Sequence, residues 1–154
     1  MLNISMLEII YISKLWTRIN QDDDMENKLE EQIGELVRRP WGTYTLLEIS
    51  KKHKVKNITV EPQQKLSLQM HYHRYESWVV VSGIACVEIE NDKFLLKQGE
   101  STFIWAGEKH RLSNPGRIPL KIIEVQLGEL VDETDIVRFD DDYGRADKTD
   151  NNPL

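Results

Sequence analysis

Two short segments of the chain concentrate the side chains that can hold a metal ion. Gln69-Met70-His71-Tyr72-His73-Arg74-Tyr75-Glu76 carries two imidazoles, a carboxylate and an amide, and His110 follows in Gly107-Glu108-Lys109-His110-Arg111-Leu112-Ser113-Asn114. Side chains alternate along an extended strand, so Gln69, His71 and His73 are expected to share one face. Two imidazoles at that spacing can grip a divalent cation, with Glu76 and a third imidazole, His110, completing the shell from a distant strand. Of the four histidines only His53 lies outside these segments.

A His-x-His pair alone is common in exposed strands, so the elements around it decide whether the pair converges on anything. From Tyr44 onward the chain reads as β. Lys54 to Glu61 alternates polar and apolar residues, and Ser77 to Val81 and Ile84 to Glu90 are rich in β-branched and aromatic side chains. Asn91-Asp92 has hairpin chemistry between Ile89 and Phe94. Phe94 to Leu96, Ser101 to Trp105, His110 to Ser113 and Leu120 to Leu127 continue the series, with Gly83, Gly99, Gly107 or Pro at the breaks. Many short strands with such turns predict an all-β sandwich or barrel, with the ligand candidates on neighbouring strands facing a shared interior.

The two ligand segments resemble the paired motifs of cupins. Further blocks resemble the cupin domain of type II phosphomannose isomerases. They are Arg39-Pro40-Trp41-Gly42-Thr43-Tyr44, the run Leu66 to Gly83, His110-Arg111-Leu112-Ser113-Asn114-Pro115-Gly116, Pro119-Leu120, Ile123-Glu124-Val125-Gln126, Asp135-Ile136-Val137-Arg138-Phe139 and Asp142-Tyr143-Gly144-Arg145. The resemblance implies a jelly-roll barrel over residues 38–145, and in that family the domain usually follows a nucleotidyltransferase domain. It also implies mannose-6-phosphate to fructose-6-phosphate isomerisation in GDP-mannose and polysaccharide precursor supply, and a homodimer. Gln63 stands where relatives usually have Gly, and Trp105 where they have Pro; both fall in loops, so the fold is expected to survive. No Gly-rich nucleotide-binding loop occurs upstream, and guanylyltransferase activity is not expected of these residues alone.

Composition narrows the classes. A chain of 154 residues, 40% hydrophobic and 30% charged, can bury one core. A net charge of -6 without a basic stripe argues against nucleic acid. The single cysteine, Cys86, sits in a strand pattern and reads as a packed thiol in a reducing, cytoplasmic setting. Residues 1–19 are interrupted by Glu8, Lys14 and Arg18, which argues against a membrane span, and they lack a basic n-region and a small-residue cleavage site, which argues against a signal peptide. Leu29, Ile33, Leu36 and Val37 recur at helical spacing and predict a short amphipathic helix within an N-terminal extension, residues 1–37. Residues before Met25 are expected to be dispensable for the barrel, and 146–154 form an acidic flexible tail.

Aldose–ketose isomerisation moves a proton between adjacent carbons through an enediolate, whose charge a divalent cation can stabilise. The candidate metal ligands are His71, His73, Glu76 and His110, with Gln69 able to replace one of them. Zinc suits this donor set best, with manganese, cobalt or iron open. For the phosphate of a sugar-phosphate substrate, Arg74 and Arg111 are the candidates, and the resemblance favours Arg74. Strand alternation points both away from the neighbouring histidine unless a bend intervenes, which would leave them as salt bridges. Glu124 is a candidate base, with a buried, paired carboxylate as the competing account; Trp41 and Trp78 read as core. A non-catalytic sugar-binding or regulatory cupin, beside a separate mannose-1-phosphate guanylyltransferase, is the second functional reading. A metal-dependent dioxygenase shares the ligands but not the flanking blocks.

Overall fold

The structure, a computed structural model, describes residues 33–144. Its strands are β1 (Leu36–Arg39), β2 (Gly42–Ile49), β3 (His53–Val60), β4 (Leu68–Met70), β5 (Arg74–Ser82), β6 (Ile84–Ile89), β7 (Asp92–Lys97), β8 (Ser101–Ile104), β9 (His110–Ser113), β10 (Leu120–Gly128) and β11 (Val137–Asp140). One turn of 3-10 helix, Glu133–Asp135, precedes β11. All pairings are antiparallel, and they build two sheets: β1-β2-β3-β10-β5-β8 and β11-β4-β9-β6-β7. The all-β jelly roll of the cupins is therefore the fold.

Period-2 alternation sets which face is buried. Along β5, Arg74, Glu76, Trp78 and Val80 are buried, whereas Tyr75, Val79 and Val81 are exposed. Along β10, Leu120, Ile122, Glu124 and Gln126 are buried. The same face of both strands thus grades from apolar to polar. At one end Val60, Val80, Leu120 and Ile122 pack with Trp41, Trp78 and Leu112 in a single core. Each such side chain contributes about 1.5–3 kcal/mol by leaving water. The other end of the inner face carries the polar residues described below. Cys86 is a buried free thiol, as its strand pattern suggested.

Strands expected over 54–61, 77–81, 84–90, 101–105, 110–113 and 120–127 are present within a few residues of those bounds. Gly83 makes the β5–β6 turn at a φ of 88°, a conformation that favours glycine. Gln63 occupies the left-handed region too, at 63°, and its amide donates to the carbonyls of Pro115 and Gly116 at 2.8 and 2.9 Å, tying two loops together.

One element differs from expectation. The end of the helix inferred from Leu29, Ile33, Leu36 and Val37 is instead β1, where Leu36 pairs with Thr45 and Val37 with Tyr44. A strand ladder closed by the turn at Pro40-Trp41 overrides a weak helical spacing. The sheet accordingly begins at Leu36, inside the extension drawn over residues 1–37. The rest of that extension, up to residue 32, and the tail at 146–154 lie outside the described residues. No helix among the described residues is long and apolar enough to cross a membrane.

Candidate metal centre

His71, Glu76 and His110 converge. One ligand atom from each lies within 4.8 Å of the others, and all three residues are at most 2% exposed. His71 Nε2 is 3.1 Å from Glu76 Oε1, and His110 Nε2 is 3.7 Å from Glu76 Oε2. Glu76 arrives on the inner face of β5, and His110 opens β9 in the facing sheet. His71 follows the last residue of β4, where the chain bends before β5.

Hydrogen bonds outside this cluster set the orientation of both rings. His71 Nδ1 donates to the Asp135 carbonyl at 2.7 Å, and His110 Nδ1 donates to the Glu108 carbonyl at 2.9 Å. A carbonyl can only accept, so in each neutral ring the lone pair is on Nε2, turned toward Glu76. His110 Nε2 is buried with no hydrogen-bond partner, and burial lowers the pKa of His110, keeping the ring neutral. Two imidazole lone pairs facing one carboxylate fit a divalent cation with N/O ligands, and Nδ1–H to carbonyl bonds are the outer-shell arrangement such ligands use.

Burial alone would raise the pKa of Glu76. The surrounding His71, His110 and Arg74 side chains outweigh it and hold the carboxyl well below the usual range. The Arg74 guanidinium, 3.5 Å from Glu76 Oε1, adds a compensating positive charge beside that carboxylate. Glu124 behaves oppositely. Burial and the neighbouring Glu76 charge push its pKa up to about 8. Trp78 Nε1 donates to both carboxylates, at 3.0 and 3.3 Å, and Gln126 Nε2 does the same at 3.1 and 3.0 Å. Two adjacent carboxyls with opposite protonation are the arrangement from which acid–base pairs are built.

The remaining site residues divide. The bend at 71–73 breaks strand alternation, so His73 does not share the face of His71. Its side chain is 59% exposed, with Nδ1 2.9 Å from Asp135 Oδ1, apart from the three-residue cluster. The same bend turns Arg74 inward, where it is 1% exposed and donates to the Asp132 carbonyl at 2.6 Å. Gly128 lets this bend approach β10: a Cβ there would stand 2.2 Å from the His73 carbonyl oxygen and 2.7 Å from Arg74 Cα. Arg111, one residue past His110, faces the opposite side and pairs with Asp140 at 2.5 Å, away from the cluster. Gln69 pairs in register with His110 and lines the adjacent cavity, its Oε1 accepting from Ser67 Oγ at 3.1 Å.

Sequence reasoning missed Asp135. Its carboxylate accepts from the backbone N–H groups of Tyr72 and His73 and from the His73 ring, while its carbonyl orients His71. Gln126 and the indole N–H of Trp78 were missed as the clamp on the two carboxylates. Period-2 alternation from Glu124 and Glu76 points to both on the same inner face, and that was the available signal.

A cavity of about 460 Å³ opens beside the cluster, lined by Gln69, Arg74, Glu124 and Gln126 at the side nearest His71, Glu76 and His110, and by Trp41, Tyr44 and several cationic residues elsewhere. Its size suits a small organic ligand.

The chain is similar to known proteins in sequence and in fold. Residues 26–141 match the family described as mannose-6-phosphate isomerase C-terminal. The chain is 49% identical over 126 residues to the alginate biosynthesis protein AlgA of Pseudomonas aeruginosa, covering 82% of this chain and 26% of that protein. It is 45% identical over 135 residues to the mannose-1-phosphate guanylyltransferase of Escherichia coli K12, covering 88% and 27% respectively. The chain thus spans about a quarter of the length of these relatives. Among solved structures, the capsular polysaccharide assembling protein CapF of Staphylococcus aureus superposes with a TM-score of 0.62 at 17% identity, covering 69% of this chain and 34% of that one. A Klebsiella pneumoniae protein with a double-stranded β-helix domain gives 0.56 at 21%, covering 71% and 92%. These structural likenesses establish the fold alone.

Proposed function

The chain belongs to the mannose-6-phosphate isomerase C-terminal family, and from that premise we propose that it is a metal-dependent isomerase interconverting mannose 6-phosphate and fructose 6-phosphate. The observation that carries the proposal is the buried His71–Glu76–His110 cluster set directly against a second, protonated carboxyl, Glu124. His71, Glu76 and His110 would hold the metal, zinc by preference, and Gln69 stands near His110 as a further donor. When bound, the cation supplies Lewis-acid stabilisation of the negative charge that develops on the two sugar oxygens.

The chain's own residues supply the proton chemistry. Glu124 lines the cavity and is the acid–base group that carries the proton between the adjacent carbons. Its raised pKa suits that work near neutral pH, because the carboxyl can both give and take a proton there. Trp78 and Gln126 hold Glu124 beside Glu76 and prevent the two carboxyls from moving independently. Arg74 compensates the Glu76 charge, so the pair is kept at one net proton. The homodimer implied by the resemblance and the supply of GDP-mannose belong to this same proposal.

A second reading has one specific observation behind it. Arg74 lies against both His71 Nε2, at 3.4 Å, and Glu76 Oε1, at 3.5 Å, so the cluster carries its own compensating cation. That suits a non-catalytic sugar-binding or regulatory cupin working beside a separate mannose-1-phosphate guanylyltransferase. A coupled assay of fructose 6-phosphate formation from mannose 6-phosphate separates the two, run on chelator-stripped protein and after adding zinc, manganese, cobalt or iron(II). Metal-dependent turnover supports the isomerase; metal or sugar binding without turnover under any of the four ions assigns the chain to the second class.

A further inference from the structure

The sugar-phosphate proposal leaves open which residues hold the phosphate, since Arg111 faces away from the cavity and Arg74 spends its guanidinium on Glu76, His71 and the Asp132 carbonyl. The cavity supplies its own answer. Besides Arg74, its lining contains Arg38, Arg39, Lys56 and Arg138, and Glu124 is the single carboxylate among the described lining residues. This accumulation runs against a chain whose net charge is -6. A cleft lined by one sign of charge concentrates the field that draws in an oppositely charged ligand.

The four cations come from strands that frame the opening. Arg38 and Arg39 lie on β1, the edge strand of one sheet, and Arg138 lies on β11, the edge strand of the other. Lys56 projects from β3 on the row it shares with Glu124. Tyr44 draws two of them together: the Arg39 guanidinium is 5.4 Å and the Lys56 ammonium 5.0 Å from its ring centroid. Guanidinium groups match phosphate oxygens with paired N–H donors, which suits three arginines to a phosphate dianion.

Register sets the distance from this rim to the chemistry. Arg138 pairs with Gln69, and Gln69 pairs with His110, so the three lie in one row across the second sheet. Two strand spacings separate Arg138 from His110, about 10 Å. An extended hexose 6-phosphate spans about 9 Å from C1 to phosphorus at ordinary bond lengths. Gln126, at the deep end of the cavity, has a buried Oε1 with no hydrogen-bond partner, which a sugar hydroxyl would satisfy.

We propose that Arg38, Arg39 and Arg138, with Lys56 beneath them, form a phosphate-monoester subsite at the cavity mouth, holding the 6-phosphate of a hexose whose C1 and C2 lie against Glu124. It rests on the isomerase proposal for the identity of the sugar.

The test is calorimetric titration of the 154-residue chain with mannose 6-phosphate, mannose and inorganic phosphate, for wild type, Arg138→Gln and the double variant Arg38→Gln/Arg39→Gln. The double variant changes exposed residues, so it remains informative should Arg138→Gln fold poorly. The wild type should bind mannose 6-phosphate at least ten-fold tighter than mannose, with inorganic phosphate competing. Each variant should lose about ten-fold or more in mannose 6-phosphate affinity, bind mannose as before, and raise KM with less change in kcat. Variants that bind mannose 6-phosphate as tightly as wild type overturn the subsite while leaving the isomerase proposal standing. A wild type that shows the phosphate preference and loses it in the variants, yet never isomerises, upholds the subsite and removes the isomerase. A wild type indifferent to the phosphate overturns both.

Discussion

Replacing Asp135 by Asn tests whether the bend at 71–73 is held from outside the His71–Glu76–His110 cluster. The Asp135 carboxylate accepts from Tyr72 N–H at 3.1 Å and from His73 N–H at 3.0 Å, and lies 2.9 Å from His73 Nδ1. An asparagine keeps one oxygen, which can serve Tyr72 and the His73 ring, but its NH2 then confronts the His73 backbone N–H. A stranded donor costs about 1–3 kcal/mol, and the surviving bonds lose their charge assistance, so Asp135→Asn should destabilise the metal-free protein by about 2–4 kcal/mol. Burial alone would raise the Asp135 pKa, but the side-chain and backbone hydrogen bonds from His73 and Tyr72 bring it below its ordinary value of 3.8. A depressed carboxyl contributes stability that is full above the unfolded pKa and vanishes as pH falls through the folded one. The gap between wild type and variant should therefore be constant above about pH 5 and close in more acid solution. Urea unfolding of both proteins between pH 3 and 7 measures this. Because the Asp135 carbonyl still orients His71 but the bend is loosened, zinc affinity by chelator competition should drop about 10–100-fold. A variant within about 0.5 kcal/mol of wild type at neutral pH, with no closing gap in acid, would refute the account of Asp135.

His110→Ala should abolish high-affinity metal binding together with turnover, and metal should no longer raise the unfolding midpoint as it does for wild type; a variant still stabilised by zinc would remove His110 from the ligand set. Glu124→Gln is expected to keep metal affinity within a few-fold while turnover falls about 10²–10⁴-fold, read in the coupled assay. Glu124 titrates higher folded than unfolded, so the metal-free wild type should lose stability as pH rises from about 4.5 toward about 8, a decline that Glu124→Gln should lack in urea unfolding.

Much of the barrel was legible in the sequence because alternation in β3, β5 and β10 is a local property of a strand with one buried face. The convergence of His71, Glu76 and His110 was legible for the same reason, as metal-type side chains next to strands that face one interior. What the sequence could not reveal is how the chain runs between those strands. Alternation predicted His71 and His73 on one face, but β4 stops at Met70, and the bend sends His73 out to Asp135 and Arg74 in to Glu76. Asp135 lies 64 residues from His71, and its role exists only because a turn of 3-10 helix brings it back to that bend. The divergence of two chemically identical carboxyls, Glu76 ionised and Glu124 protonated, depends on which charge each meets in the folded interior. Arg38, Arg39, Lys56 and Arg138 are ordinary cations in sequence, and only the pairing order that makes β1 and β11 the two edge strands collects them around one cavity. Residue type and local period are written along the chain; protonation, the turn of a bend and the company each charge keeps are properties of contacts between distant segments, which exist only after folding.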